Sequence, residues 1–137
     1  MTARHTRADL VRSLIEGVSY SLKDCLDIIE QLGVPIASVR VSGGGARSPF
    51  WRRLLANIFG KPVVTLETQE GSAYGAALLA LVGTGEFGSV PEVCRAAIRE
   101  VDTVDPEKGL AGTYAEWHAA YQSLYPALRS FYRSTSA

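Results

Sequence analysis

Through the first quarter of the chain, apolar positions recur every three or four residues. Leu10, Val11, Leu14, Ile15, Val18, Leu22, Cys25, Leu26 and Ile29 fall on one stripe, with Arg12, Glu16, Lys23, Asp27 and Glu30 largely off it. That period predicts an amphipathic helix over residues 8–32. Thr6 is placed to cap it, and Gly33 followed by Pro35 to stop it. Gly17, in its middle, costs ~1 kcal/mol relative to alanine and is expected to mark close packing against another element. Residues 36–42 are short and rich in β-branched side chains, which predicts a strand.

The strand runs into Gly43-Gly44-Gly45-Ala46-Arg47-Ser48, after which Pro49 opens a second helix with Ser48 as its N-cap. Phe50, Trp51, Leu54, Leu55, Ile58 and Phe59 form the apolar face of that helix, and Gly60 and Pro62 end it. Residues 63–66 predict a second strand. Residues 72–82 predict a helix whose small face (Ala73, Gly75, Ala76, Ala77, Ala80) permits close approach of a neighbour. A shorter helix is read over residues 91–100 and an irregular connector over 102–112. A last helix capped by Thr113 then carries Tyr114, Trp117, Tyr121, Leu124, Leu128 and Phe131 as an expected core stripe. Pro126 is expected to kink or interrupt it.

Two strands separated by a helix predict a parallel βαβ unit. Sheets of this kind are covered on both faces and hold about four to six strands. Two strands are an odd centre for five helices. The pattern therefore predicts part of an α/β domain whose other strands lie in a removed portion, in a partner chain, or in segments the pattern does not mark.

Composition narrows the function. Apolar residues make up 47% and charged residues 20% of 137, ordinary globular usage rather than that of a disordered spacer. Fourteen basic residues balance fourteen acidic ones, so no broad positive field favours nucleic acid. Arg4, Arg7 and Arg12 with His5 read as a solvated basic end. No apolar run is long enough for a signal or a spanning helix, which points to a cytoplasmic protein without a membrane partner. Cys25 and Cys94 are read as small apolar fillers inside helices. His5 and His118 lie far apart without Cys or carboxylate at ligand spacing, so no metal site is assigned.

The strand–loop–helix junction is the candidate site. A helix start carries unpaired N–H donors and about half a positive charge, and glycines before it let backbone approach an anion. Two readings stand: a seat for a nucleotide or phosphate, or a tight turn that binds nothing. The spacing excludes two known phosphate motifs. Gly43 has no Gly-Lys-Ser/Thr at the P-loop offset, and GxGxxG would need glycine where Ser48 stands. No GxSxG elbow is present either.

Taken in order, His5-Thr6-Arg7, Leu14-Ile15-Glu16-Gly17-Val18, Ser42 through Ser48 with Trp51 one turn on, Gly60-Lys61-Pro62-Val63, and Glu70 through Ala80 form a specific series. It resembles the C-terminal part of an FGGY-family carbohydrate kinase, with the xylulokinases the nearest likeness, and covers essentially the whole chain. The resemblance implies an α/β, partial ribonuclease-H-like (actin/hexokinase-type) ATPase domain, helix-rich with a short parallel βαβ unit. Residues 1–137 would be the C-terminal portion of the nucleotide-binding domain, with the sugar-binding domain and the first strands of this domain absent. By position it carries Gly43, Gly44, Gly45, Ala46 and Ser48 over as contacts to ATP or ADP. Ser48 stands where related glycerol kinases have asparagine, a departure that bears on the adenine contact. Ala56-Asn57-Ile58 replaces a frequent Ala-Asp-Ile run and bears only on a local polar contact.

The implied reaction moves the ATP γ-phosphate to a hydroxyl of a sugar such as D-xylulose. Mg²⁺ accompanies the nucleotide without dedicated ligands in this chain. The family's catalytic aspartate lies upstream of the matched motifs, so no catalytic residue is assigned and the chain alone is expected to be inactive. Asp9, Asp24 and Asp27 are read as a solvated helix face, and Asp102 and Asp105 as connector residues. The sugar would be reached only through the missing domain. The alternative is a non-catalytic nucleotide-binding or interaction module that pairs with a complementary chain. Bare helix faces would also give self-association or modest stability.

Overall fold

The computed structural model describes residue 2, residues 4–68 and residues 71–135. In chain order these form α1 (Arg7–Gln31), β1 (Val39–Val41), a 3₁₀ turn (Gly45–Arg47), α2 (Pro49–Phe59), β2 (Val63–Leu66), α3 (Gly71–Gly83), α4 (Val90–Ala97), β3 (Glu100–Val104) and α5 (Ala111–Thr135). The start of α1 is a capping box: the Thr6 hydroxyl accepts from the Asp9 N–H, and the Asp9 carboxylate accepts from the Thr6 N–H at 2.7 Å. These hydrogen bonds hold the Asp9 pKa below its ordinary value. Ser48 and Pro49 open α2 as expected, and Gly60, at φ 63°, closes it.

β1 and β2 run parallel, with Val39 opposite Val63 and Val41 opposite Thr65, as the βαβ pattern requires. A third strand joins them. β3 lies antiparallel to β2, with Val104 opposite Val63 and Asp102 opposite Thr65. The sequence reading gave this segment to the end of a helix and a connector, and β3 corrects it. The sheet order is β1-β2-β3, so β1 is an edge strand among the described residues.

Alternate residues of a strand face opposite sides. Val63 joins the main core with Tyr20 and Leu26 of α1, Leu54, Leu55, Ala56, Ile58 and Phe59 of α2, and Tyr114 of α5. Val64, on the other face, is also buried, as are Leu78 of α3 and Val93 of α4, two helices that pack on each other. Arg40 of β1 and Glu100 of β3 pair at 2.6 Å and brace the two edges of the sheet. Asn57 of α2 is buried and fully used. Its Oδ1 accepts the Glu107 N–H at 2.7 Å, and its Nδ2 donates to the Glu107 carboxylate at 3.2 Å.

Several expected core positions are not covered. Of the α1 stripe only Leu26 is buried, and Leu14 is 72% exposed. A Cβ at Gly17 or Gly75 would meet no atom within 4 Å, so neither marks close packing within this chain. Cys25 lies in α1 but is exposed, and Cys94 in α4 is half-buried. The α5 stripe buries only Tyr114, while Leu124, Leu128 and Phe131 face outward. α5 also continues helically through Pro126. The bond lost there frees the carbonyl of Gln122, which is exposed and open to solvent. Glu70, where the small-residue run begins, lies outside the described residues.

Two predictions follow from the core. Asn57→Asp keeps the acceptor for Glu107 N–H but removes a donor and opposes two carboxylates. It should destabilise the fold by about 2 kcal/mol in urea unfolding, and an unchanged midpoint would contradict this. The Tyr20 phenol is buried without a hydrogen-bond partner, and desolvation lifts its pKa from 10.0 to about 12. The unfolded chain therefore ionises first, so stability is retained below pH 10 and falls as pH rises from 10 toward 12. Ultraviolet titration should show a phenol that ionises only near pH 12 and is missing from Tyr20→Phe, which should also lessen the alkaline loss. A Tyr20 phenol that ionises near pH 10 would contradict it.

Candidate functional site

The bend after β1 is set by glycine geometry. Gly43 has φ 80°, a left-handed conformation that favours glycine, and Gly44 returns to right-handed helical values (φ −60°, ψ −39°). The N–H groups of Ala46, Arg47 and Ser48 then turn back onto the carbonyls of Gly43, Gly44 and Gly45, at 3.1–3.2 Å. Ser48 leaves this turn extended and caps α2, accepting the Trp51 N–H at 3.3 Å. The helix start is thus less open than expected. Pro49 has no N–H, and Trp51 and Arg52 donate to Ser48 itself.

The three glycines differ in their surroundings. Gly43 and Gly44 are exposed, and among the described residues a Cβ at either would meet no atom within 4 Å. At Gly45 a Cβ would lie 2.7 Å from Trp51 Cε3 and nearer still to Cζ3. Gly71, the first residue of α3, comes equally close to the loop, since a Cβ there would lie 2.8 Å from Ser42 Oγ. The end of β1 therefore packs between α2 and α3.

A groove of about 510 Å³ lies at the carboxyl ends of the parallel strands, where open α/β sheets place their ligands. Val41, Ser42, Ala46 and Arg47 form one wall, and Thr65, Leu66, Glu67 and Thr68 line it after β2. Arg52 projects into it from α2. Its Nη1 binds Asp102 of β3 at 2.7 Å, and its buried Nε has no hydrogen-bond partner among the described residues. On the other side of the loop a pocket of about 210 Å³ is bounded by Gly45, Ala46, Trp51, Leu22 and Leu55. Of the five predicted nucleotide contacts, Ala46 lines both spaces and Gly45 the smaller. Gly43 and Gly44 form the exposed crest, and Ser48 is engaged as the cap.

Sequence reasoning did not single out Arg52, Thr65 or Thr68. Thr65 and Thr68 lie on and just after β2, and Arg52 reaches them because α2 packs against that strand, its Nη1 lying 3.5 Å from Thr65 Oγ1. The carboxylates have structural occupations. Asp9 caps α1, Asp102 holds Arg52, and Asp24 and Asp27 flank His118 of α5 rather than forming a solvated face. His118 Nε2 lies 2.8 Å from Asp24 and Nδ1 lies 3.9 Å from Asp27. Lys23 pairs with Asp27, and Gln122 donates to Asp24, so the group reads as a polar tether between α1 and α5.

Residues 1–84 match the C-terminal domain of the FGGY family of carbohydrate kinases. The chain belongs to that family. Among its relatives, the xylulose kinase of Staphylococcus epidermidis is 34% identical over 125 residues, spanning 91% of this chain and 25% of its own. The crystal structure of a ligand-bound xylulose kinase from Lactobacillus acidophilus superposes with a TM-score of 0.88 at 26% identity, over 99% of this chain and 28% of its own. Gluconate kinase from the same organism gives 0.85 at 27% identity, over 99% and 27%. The chain therefore has the fold of an FGGY kinase, of actin/hexokinase type, and spans about a quarter of the length of the relatives it matches. Among the described residues no helix is long and apolar enough to cross a membrane.

Proposed function

We propose that this chain is the nucleotide-binding segment of an ATP-dependent sugar kinase. Residues 1–137 would be the C-terminal portion of its nucleotide-binding domain, with Gly43, Gly44, Gly45, Ala46 and Ser48 as the seat of ATP or ADP. The observation that carries this reading is the open space over Gly43 and Gly44, whose loop neighbours Ser42, Ala46 and Arg47 line a groove at the ends of parallel strands. Phosphate oxygens need such close backbone approach. Arg47 lines the same groove and would add positive charge there, while Arg52 is paired with Asp102 and Glu67 contributes a carboxylate.

The whole reaction would transfer the γ-phosphoryl group to a hydroxyl of a sugar such as D-xylulose, in the cytoplasm. Mg²⁺ would arrive with the nucleotide and offset its charge. Within this chain Gly43 and Gly44 would admit the phosphates, while Trp51 of α2 and Gly71 of α3 abut the loop from its two sides. Phosphoryl transfer depends chiefly on positioning and charge stabilisation. The sugar pocket and the base that takes the hydroxyl proton fall to other segments, so the chain alone should be inactive. A second reading, a module that pairs with a complementary chain, is favoured by the uncovered apolar stripe of α1 and by the edge of β1 that no strand among the described residues pairs with.

Gly44 has right-handed backbone and empty surroundings, so valine fits it without strain. Gly44→Val is expected to abolish ADP binding in calorimetric titration while leaving the unfolding midpoint in place. Unchanged affinity in the folded variant would reject the assignment. The bare α1 face predicts concentration-dependent self-association of the lone chain in sedimentation. Mixing with an upstream kinase segment should suppress that association and bring turnover. A stable monomer with a cooperative high-temperature transition, or turnover by the lone chain, would count against this picture.

A further inference from the structure

We propose that Trp51 is the positioning residue of the glycine loop, a rigid wedge anchored to α1 through Ser19. The indole N–H donates to Ser19 Oγ at 3.0 Å, and that hydroxyl donates onward to the Ile15 carbonyl at 2.7 Å. Ser19 is fully buried, so both of its polar contacts lie away from water, where a broken hydrogen bond is costly. With its nitrogen held there, the six-membered ring lies against Gly45, occupying the space any Cβ would need.

The third glycine of the loop is thus required by the chain's own packing, whereas Gly43 and Gly44 face outward. Trp51 also leads back into the loop through its backbone, because its N–H is the one that Ser48 caps. One residue therefore fixes both the underside of the bend and the first turn of α2. The anchor lies on the helix whose apolar stripe is bare, so the loop's shape is coupled to how α1 is held. That this shape matters to a ligand rests on the nucleotide reading; the wedge itself does not.

The test compares Gly45→Ala and Trp51→Leu, singly and together, by amide hydrogen exchange at residues 44–48 and by ADP titration. Gly45→Ala alone should speed exchange at Ala46, Arg47 and Ser48 about tenfold and weaken ADP binding by a similar factor. In the Trp51→Leu background the same alanine should add less than about twofold, because the space under residue 45 is then open. An equal effect in both backgrounds, or none in the native one, would overturn the proposal. Ser19→Ala keeps the whole indole and removes only its acceptor, so it guards against a leucine variant that does not fold. It should raise exchange in the loop several-fold with helical circular dichroism unchanged, and native-like exchange would overturn the anchor. If the native chain binds no ADP, the nucleotide reading fails, and the exchange data alone decide the wedge.

Discussion

A helix whose last six residues are all buried has no face left for solvent, and α2 is such a helix. Leu54, Leu55, Ala56, Asn57, Ile58 and Phe59 are enclosed by α1, α5 and the sheet, with Ala56 at 0% exposure. Every other feature of the molecule is arranged around that constraint. The carboxyl end of α2 is fixed by Gly60, and its middle is tied by Asn57 to the segment after β3. Arg52 binds Asp102 on the same strand, so the edge strand is held to the helix by charge as well as by apolar contact. The amino end is then the one part of α2 that reaches solvent, and the glycine loop sits there.

Much of this was legible in the sequence because local chemistry dictated it. The Thr6–Asp9 box, Ser48-Pro49 and the αL glycines at 33 and 60 set helix ends without help from tertiary packing. The parallel pairing of β1 and β2 followed from a strand–helix–strand order. What was not legible depended on packing. β3 is five residues long, carries Glu100 and Asp102, and leaves Val101 outward, so its alternation does not advertise a buried face. The apolar periods of α1 and α5 were correct as helices, but period alone does not say what covers a stripe. Here much of each stripe is left bare.

The glycine bend was legible as a candidate, and its surroundings were less so. A glycine-rich bend before a helix points to an anion, yet the donors expected at the helix start are largely turned inward by Ser48 and the 3₁₀ turn. The distinction among the three glycines, two open and one filled by an indole, arises from a contact six residues along and from Ser19 on another helix. No spacing rule encodes it. Substrate choice is in a similar position. A xylulose kinase and a gluconate kinase each share this fold over about a quarter of their length, so the fold of this chain does not by itself distinguish a sugar.

The central claim is that the outward crest of the bend receives nucleotide phosphates while its underside is held by the chain itself. Titration of the ¹⁵N-labelled protein with Mg²⁺–ADP tests it most directly, because each backbone amide reports separately. The account predicts saturable shifts centred on Gly43, Gly44, Ala46 and Arg47, with a smaller response at the Trp51 indole N–H. Shifts centred elsewhere, such as the α5 aromatic face or the Asp24–His118 tether, or none up to millimolar ligand, would contradict it.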